Sequence, residues 1–276
     1  MRPFFIEFRM FAKMSNMHIG IIGSGSWATA IAKIITDNGH EINWWVRQSE
    51  NITYFKKRHH NPHYLRNAFF DTTKINFSDD IAEVVKQSSV IIMAVPSIHI
   101  ESVLHAVPSD LLKDKKVVSA IKGVMPNYNI LLHDFLAQKF DFPVSQYFTL
   151  FGPSHAEEVA SEQLSYLTFS GVDTSMTSEI ASYFKSDYIN TIVNNDVVGV
   201  QYAAVLKNIY ALGSGIAHGL EYGDNFQSVY IANSANEMVT FLRKMNEKAG
   251  VETEEGHNYA ASVYLGDLLV TCYSLY

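Results

Sequence analysis

The stretch Met17-His18-Ile19-Gly20-Ile21-Ile22-Gly23-Ser24-Gly25-Ser26-Trp27-Ala28 constrains the fold of this chain more than any other. Ile19, Ile21 and Ile22 form the kind of apolar run that becomes a strand buried on both faces. The run ends in Gly23-x-Gly25-x-x-Ala28, and Trp27 to Ile35 carries a helical pattern. Strand, glycine turn and helix in that order are the context a dinucleotide fingerprint requires. Gly23 permits the sharp turn, Gly25 leaves the backbone open to a pyrophosphate, and Ala28 is small enough for close helix–strand packing. The helix N-terminus adds free N–H groups and partial positive charge. The same glycines would also serve a plain tight turn.

Downstream, strands and helices alternate at short spacing. Glu41–Val46, Ile75–Phe77, Val90–Val95, Val117–Ile121 and Tyr147–Phe151 read as strands. Glu50–Arg58, a segment ending at Lys86 behind a Ser78-Asp79 cap, and Ser97–Ala106 read as helices. This is the pattern of βαβ units and a mostly parallel, doubly wound α/β sheet. Ligands of such sheets sit at the carboxyl ends of the strands, where Gly23, Gly25, Arg47, Pro96 and Lys122 all fall. An NAD site usually places Asp or Glu after the second strand, but here Trp44-Trp45-Val46 leads to Arg47. That tilts the expectation towards NADP, with Glu50 close by and a plain surface charge as the alternative. His59, His60 and His63 match no standard metal spacing, so a loop and no metal site is expected.

After Gly152-Pro153-Ser154-His155-Ala156, where Ser154 could cap a helix, come strands at Leu164–Phe169 and Tyr188–Val193 with a helix between them. The pattern then changes. Asn194-Asn195-Asp196 supplies an N-cap for a long helix, Val197–His218, which is apolar on most faces and expected to be buried. Three segments are expected: an extension over 1–16, a Rossmann-type dinucleotide domain over 17–193, and an all-helical substrate domain over 194–276. The extension reads as an upstream start or loosely docked tail, since charges interrupt any signal-peptide core.

The balance of 21 basic against 28 acidic residues gives a net charge of −7, which argues against nucleic acid or an anionic membrane as partner. The single cysteine, Cys272, excludes an intramolecular disulfide framework and fits a cytoplasmic protein. No apolar run approaches the ~20 residues of a membrane span.

Lys207 lies in the middle of the apolar helix, followed by Asn208. A buried lysine is costly unless paired or used. It is either a general acid with a depressed pKa or a lysine whose stem snorkels to the surface. Asp267, inside Leu265-Gly266-Asp267-Leu268-Leu269-Val270, would be its partner or a helix cap.

Taken together, Gly23-Ser24-Gly25-Ser26-Trp27, Ile121-Lys122-Gly123, Gly152-Pro153-Ser154-His155-Ala156, Leu206-Lys207-Asn208, Gly223-Asp224-Asn225 and Gly266-Asp267-Leu268 through Thr271-Cys272 resemble the motif series of bacterial NAD(P)-dependent glycerol-3-phosphate dehydrogenases. The resemblance runs from Met17 to the last residue. It implies interconversion of sn-glycerol 3-phosphate and dihydroxyacetone phosphate by hydride exchange with NAD or NADP, supplying phospholipid synthesis. It makes Lys207 the general acid/base, Asp267 the residue that holds it, and Thr271 a member of the same polar cluster. Gly23, Ser24, Gly25, Ser26, Trp27, Arg47, Pro96, Lys122 and Ala156 become cofactor contacts. Lys122, Gly152, Ser154, Lys207, Asn208 and Asp267 become substrate contacts. A homodimer is expected by analogy.

Ala28 departs from the family's usual glycine. The family also continues, beyond the position of Ser274-Leu275-Tyr276, into a Ser-Arg-Asn motif whose arginine grips the substrate phosphate and which lies at the edge of further helices. The expectation is therefore stronger for dinucleotide binding than for turnover, with apolar surface exposed around Leu268, Leu269 and Leu275. Two other readings stand beside this one: a ketopantoate-type or other two-domain hydroxyacid dehydrogenase, and a catalytically silent cofactor-binding fragment.

Overall fold

The computed structural model describes residues 17–248 and 258–274. The expectations for Met1–Asn16 and Leu275 lie outside these residues.

Ile19–Ile22 forms β1, buried along its whole length, as an apolar run without alternation should be. It pairs in parallel with β2 (Ile42–Trp45) on one side and β4 (Val90–Met93) on the other. With β3 (Ile75–Ser78), β5 (Lys116–Ser119), β6 (Tyr147–Phe151), β7 (Ser165–Ser170) and β8 (Ile189–Asn194) it builds one eight-stranded sheet in the order 3-2-1-4-5-6-7-8. Neighbours are parallel except β6 and β7. The chain winds outward from β1 to β3, then restarts at β4 on the other side. The strand order therefore reverses between β1 and β4, and the crevice above that point is where a doubly wound sheet binds ligands.

Helices cover both faces. On one lie α1 (Ser26–Asp37), α2 (Ser49–Arg58), α6 (Ala156–Ala160) and α7 (Thr174–Ser182), over a core that includes Ile19, Ile21, Ile31, Trp44 and Phe169. On the other lie α3 (Ile81–Gln87), α4 (Ser97–His105) and α5 (Leu132–Phe140), over Ile22, Ile91, Met93 and Val117. Adjacent residues of one strand enter opposite cores because side chains alternate across the sheet.

After Asn194 the described elements are helical. These are α8 (Val197–Gly219), α9 (Gly223–Lys248), a π-turn over Ser262–Gly266 and α10 (Asp267–Tyr273). They share a third core of Val200, Ala203, Ala204, Met238, Leu242 and Leu268, which reaches the sheet through Phe151.

Four expectations need correction. First, α8 is not buried on most faces. Ile209, Leu212, Ile216 and Leu220 form an exposed stripe, with Leu212 at 67% exposure. An all-apolar helix does not reveal from its periodicity which faces find partners. Second, Leu268 is buried and Leu269 half-buried, because α10 packs on α8. The apolar exposure lies instead on α8 and at the α8–α9 corner. Third, α3 is capped by Asp80, whose carboxylate accepts from the Ala82 and Glu83 N–H groups. Fourth, Ser154 does not cap α6. His155 holds the N-cap position, and the Ser154 hydroxyl turns back to donate to the Gly152 carbonyl at 3.1 Å. The helix α5 lies outside the elements read from the sequence, although Leu132, Phe135 and Leu136 recur at helical spacing.

Candidate active site

The carboxyl ends of β1, β4, β5 and β6 open into one cleft of about 500 Å³. Gly25, Ser26 and Trp27 line it from the β1–α1 turn, Pro96 from the end of β4, Lys122 from beyond β5, and Ser154 and Ala156 from beyond β6. Gly23 lies behind this wall. Its φ of 123° suits glycine alone, and a Cβ there would strike the Ala94 carbonyl. A Cβ on Gly25, by contrast, would meet nothing within 4 Å. The backbone at Gly25 is thus bare on the cleft side, as close approach of a pyrophosphate demands. The indole Nε1 of Trp27 is buried without a hydrogen-bond partner among the described residues, a donor left over for a ligand. These features fit a dinucleotide. Ser24 sits between the two glycines with its carbonyl turned inward, and Arg47 is exposed just past β2, outside the cleft wall.

The charged cluster borders this cleft. Lys207, on α8, is 4% exposed, and Asp267, at the start of α10, is 1% exposed. The Lys207 ammonium lies 2.5 Å from Asp267 Oδ1. The Lys122 ammonium, just beyond the end of β5, lies 3.9 Å from Asp267 Oδ2. Two lysines therefore share one carboxylate. Burial pushes the Lys207 ammonium down to about 7, and the neighbouring Lys122 charge adds to the effect, while Asp267 opposes both. An amine poised near neutrality can both give and take a proton.

Two side chains and one glycine turn shape the surroundings of this cluster. Thr271 is one turn beyond Asp267 and donates its hydroxyl to the Asp267 carbonyl at 2.6 Å, so its proton is spent inside α10. Asn208 is exposed and donates to the Lys122 carbonyl at 3.4 Å, linking α8 to the end of β5. Gly152 has φ 127°, and a Cβ there would strike the Tyr166 carbonyl, so the β6–α6 turn that carries Ser154 requires glycine.

The expected cap of α8 within Asn194-Asn195-Asp196 falls on Asp196, but sequence reading missed that the same residue supports α10. Asp196 caps α8 by accepting from the Gly199 N–H at 2.8 Å, and its other oxygen accepts from the buried Tyr264 hydroxyl at 2.5 Å. Tyr264 belongs to the π-turn that delivers Asp267. Its only sequence signal was an aromatic near the Gly266-Asp267 pair. The three histidines lie in one connection: His60 packs edge-on to Tyr54 and Phe69, His63 meets Tyr64, and His59 Nδ1 lies 3.4 Å from the Thr72 hydroxyl.

A reversing parallel sheet, an open glycine turn at its crevice and a buried lysine with a depressed pKa beside it define a nicotinamide-dinucleotide oxidoreductase. Profiles described as the NAD-dependent glycerol-3-phosphate dehydrogenase N-terminus and C-terminus match residues 18–177 and 196–276. Glycerol-3-phosphate dehydrogenase [NAD(P)+] of Lacticaseibacillus casei is 31% identical over 265 residues, covering 94% of this chain and 74% of the relative. That of Streptococcus uberis is 32% identical over 261 residues, with the same coverage. Among solved structures, the Plasmodium falciparum glycerol-3-phosphate dehydrogenase superposes with a TM-score of 0.81 at 26% identity, covering 94% of this chain and 74% of that one. The Coxiella burnetii enzyme shares the fold with a TM-score of 0.80 at 24% identity, covering 94% and 77%. The chain belongs to the NAD-dependent glycerol-3-phosphate dehydrogenase family. Among the described residues no helix is long and apolar enough to cross a membrane.

Proposed function

We propose that this chain interconverts sn-glycerol 3-phosphate and dihydroxyacetone phosphate, with NADP(H) or NAD(H) in the cleft above β1 and β4. The observation that carries the reading is the buried Lys207–Asp267 pair at 2.5 Å beside that cleft. When bound, the nicotinamide supplies or accepts the hydride at C2. Lys207 Nζ gives a proton to the oxygen forming at C2 on reduction and removes it on oxidation. Asp267 holds the Lys207 side chain in place, and Thr271 braces the first turn of α10. Lys122, Gly152, Ser154 and Asn208 border the substrate, and the Lys122 charge suits its phosphate. Ser24, Gly25, Ser26, Trp27, Pro96, Lys122 and Ala156 would hold the dinucleotide, on the sharp turn that Gly23 permits. Arg47 is free to meet a 2′-phosphate, which favours NADP over NAD. Residues 17–193 serve as the dinucleotide domain and 194–276 as the substrate domain. The product feeds phospholipid synthesis in the cytoplasm, and the protein works as a homodimer.

The test is NADPH oxidation with dihydroxyacetone phosphate, followed by nicotinamide absorbance. Lys207→Ala is expected to lower the rate about 10²–10⁴-fold while NADPH still binds. Equal rates in both proteins would refute the role of Lys207. NADPH binding without substrate-dependent oxidation by the unsubstituted chain would instead favour a cofactor-binding protein that does not turn over.

A further inference from the structure

Three successive carbonyls of the glycine loop are each held by a buried side chain. The Trp44 indole Nε1 donates to the Gly23 carbonyl at 2.7 Å. Asn61 Nδ2 donates to the Ser24 carbonyl at 3.1 Å. The Thr29 hydroxyl donates to the Gly25 carbonyl at 2.8 Å and accepts from Asn61 Nδ2 at 2.8 Å. These holding groups are themselves fixed. Asn61 is 2% exposed, and its Oδ1 accepts from the His63 and Tyr64 N–H groups at 2.9 and 3.2 Å, so its amide is fully used. Trp44 is fully buried among Phe55, Phe70 and Phe77.

In a trans peptide the C=O and the following N–H point in opposite directions. Drawing the carbonyls of Gly23, Ser24 and Gly25 inward therefore turns the N–H groups of Ser24, Gly25 and Ser26 outward. Among the described residues these three N–H groups donate to no protein acceptor. A loop with two glycines in three residues has little stiffness of its own. Without the inward hydrogen bonds a peptide could flip and present a carbonyl to the phosphates, replacing attraction by repulsion.

We propose that Trp44 and Asn61 are positioning residues of the dinucleotide site, which set the peptide planes of the glycine loop so that its N–H groups face the pyrophosphate. The inference rests on the cofactor reading above and assigns a role to two residues that touch no ligand.

The experiment is equilibrium titration of the full chain with NADPH, by nicotinamide fluorescence, for the unsubstituted protein, Trp44→Phe and Asn61→Ala. Adenosine 2′-monophosphate, which lacks the pyrophosphate, is titrated alongside by calorimetry, and the ligand-free unfolding midpoint is measured for each. Trp44→Phe keeps an aromatic ring in the core and removes only the donor, so it remains informative if Asn61→Ala fails to fold. The expected result is NADPH affinity weakened about 10-fold by each substitution, with adenosine 2′-monophosphate affinity unchanged. Unchanged NADPH affinity in Trp44→Phe, or an equal loss for both ligands, overturns the inference and leaves the cofactor reading standing. Failure of the unsubstituted chain to bind NADPH overturns both.

Discussion

In the proposed reaction Lys207 moves the proton, and its protonation should be visible in the pH dependence. With Lys207 as the proposed general acid, the rate of reduction should fall as pH rises through about 7. Oxidation needs the free amine, so its rate should rise over the same range. Lys122→Met removes a like charge near Lys207 and should move both limbs to higher pH. The measurement is kcat against pH in each direction for the two proteins; a shift to lower pH would contradict the electrostatic account. Lys122 is the informative site for this test because burial, the larger cause of the depression, cannot be changed without rebuilding the core.

At the scale of elements, two short connections place the site. The π-turn over Ser262–Gly266 sets the position of Asp267, and it is fastened to α8 through the Tyr264–Asp196 hydrogen bond. Removing that hydroxyl strips a buried carboxylate of one donor. Tyr264→Phe should therefore lower stability by about 1–3 kcal/mol, measured by urea unfolding. The β6–α6 turn depends on Gly152 in the same way. Gly152→Ala combines a left-handed backbone with a collision at the Tyr166 carbonyl. It should cost at least about 1–3 kcal/mol and reduce soluble yield, whereas wild-type stability would show that the turn can shift at no cost. At this scale much was legible in the sequence. The β1 strand, the glycine turn and α1 could be placed to within a residue or two, because an apolar run followed by glycines has few other solutions. The cap of α3 was missed by one or two residues because Ser78, Asp79 and Asp80 are all able to cap. Asn61 was passed over because a polar residue among histidines and proline looks like surface loop, and only the folded chain brings it under Ser24.

At the scale of the whole molecule, the described residues include an apolar surface along the second half of the chain. Ile209, Leu212 and Ile216 run along one stripe of α8, Leu220 and Tyr222 follow it in the connection, and Phe226 and Val229 lie on α9. A contiguous apolar area of this kind favours association. Sedimentation velocity should show concentration-dependent self-association that Leu212→Lys with Ile216→Lys weakens. A monomer at all concentrations, unaltered by the substitutions, would show that this face does not drive assembly. The net charge of −7 sets only a weak general repulsion between copies at physiological salt.

The class of fold, the glycine turn after β1 and the pairing of Lys207 with Asp267 were legible along the chain. Each follows from local rules: strands from apolar runs, turns from glycine, and the high cost of burying an unpaired charge. Tertiary structure alone decided which face of α8 is covered, that Lys122 shares Asp267 with Lys207, and that Trp44, Asn61 and Thr29 hold the glycine loop from within. Those arrangements join residues far apart in the chain. Their energies depend on distance, burial and hydrogen-bond direction, which spacing along the sequence does not encode.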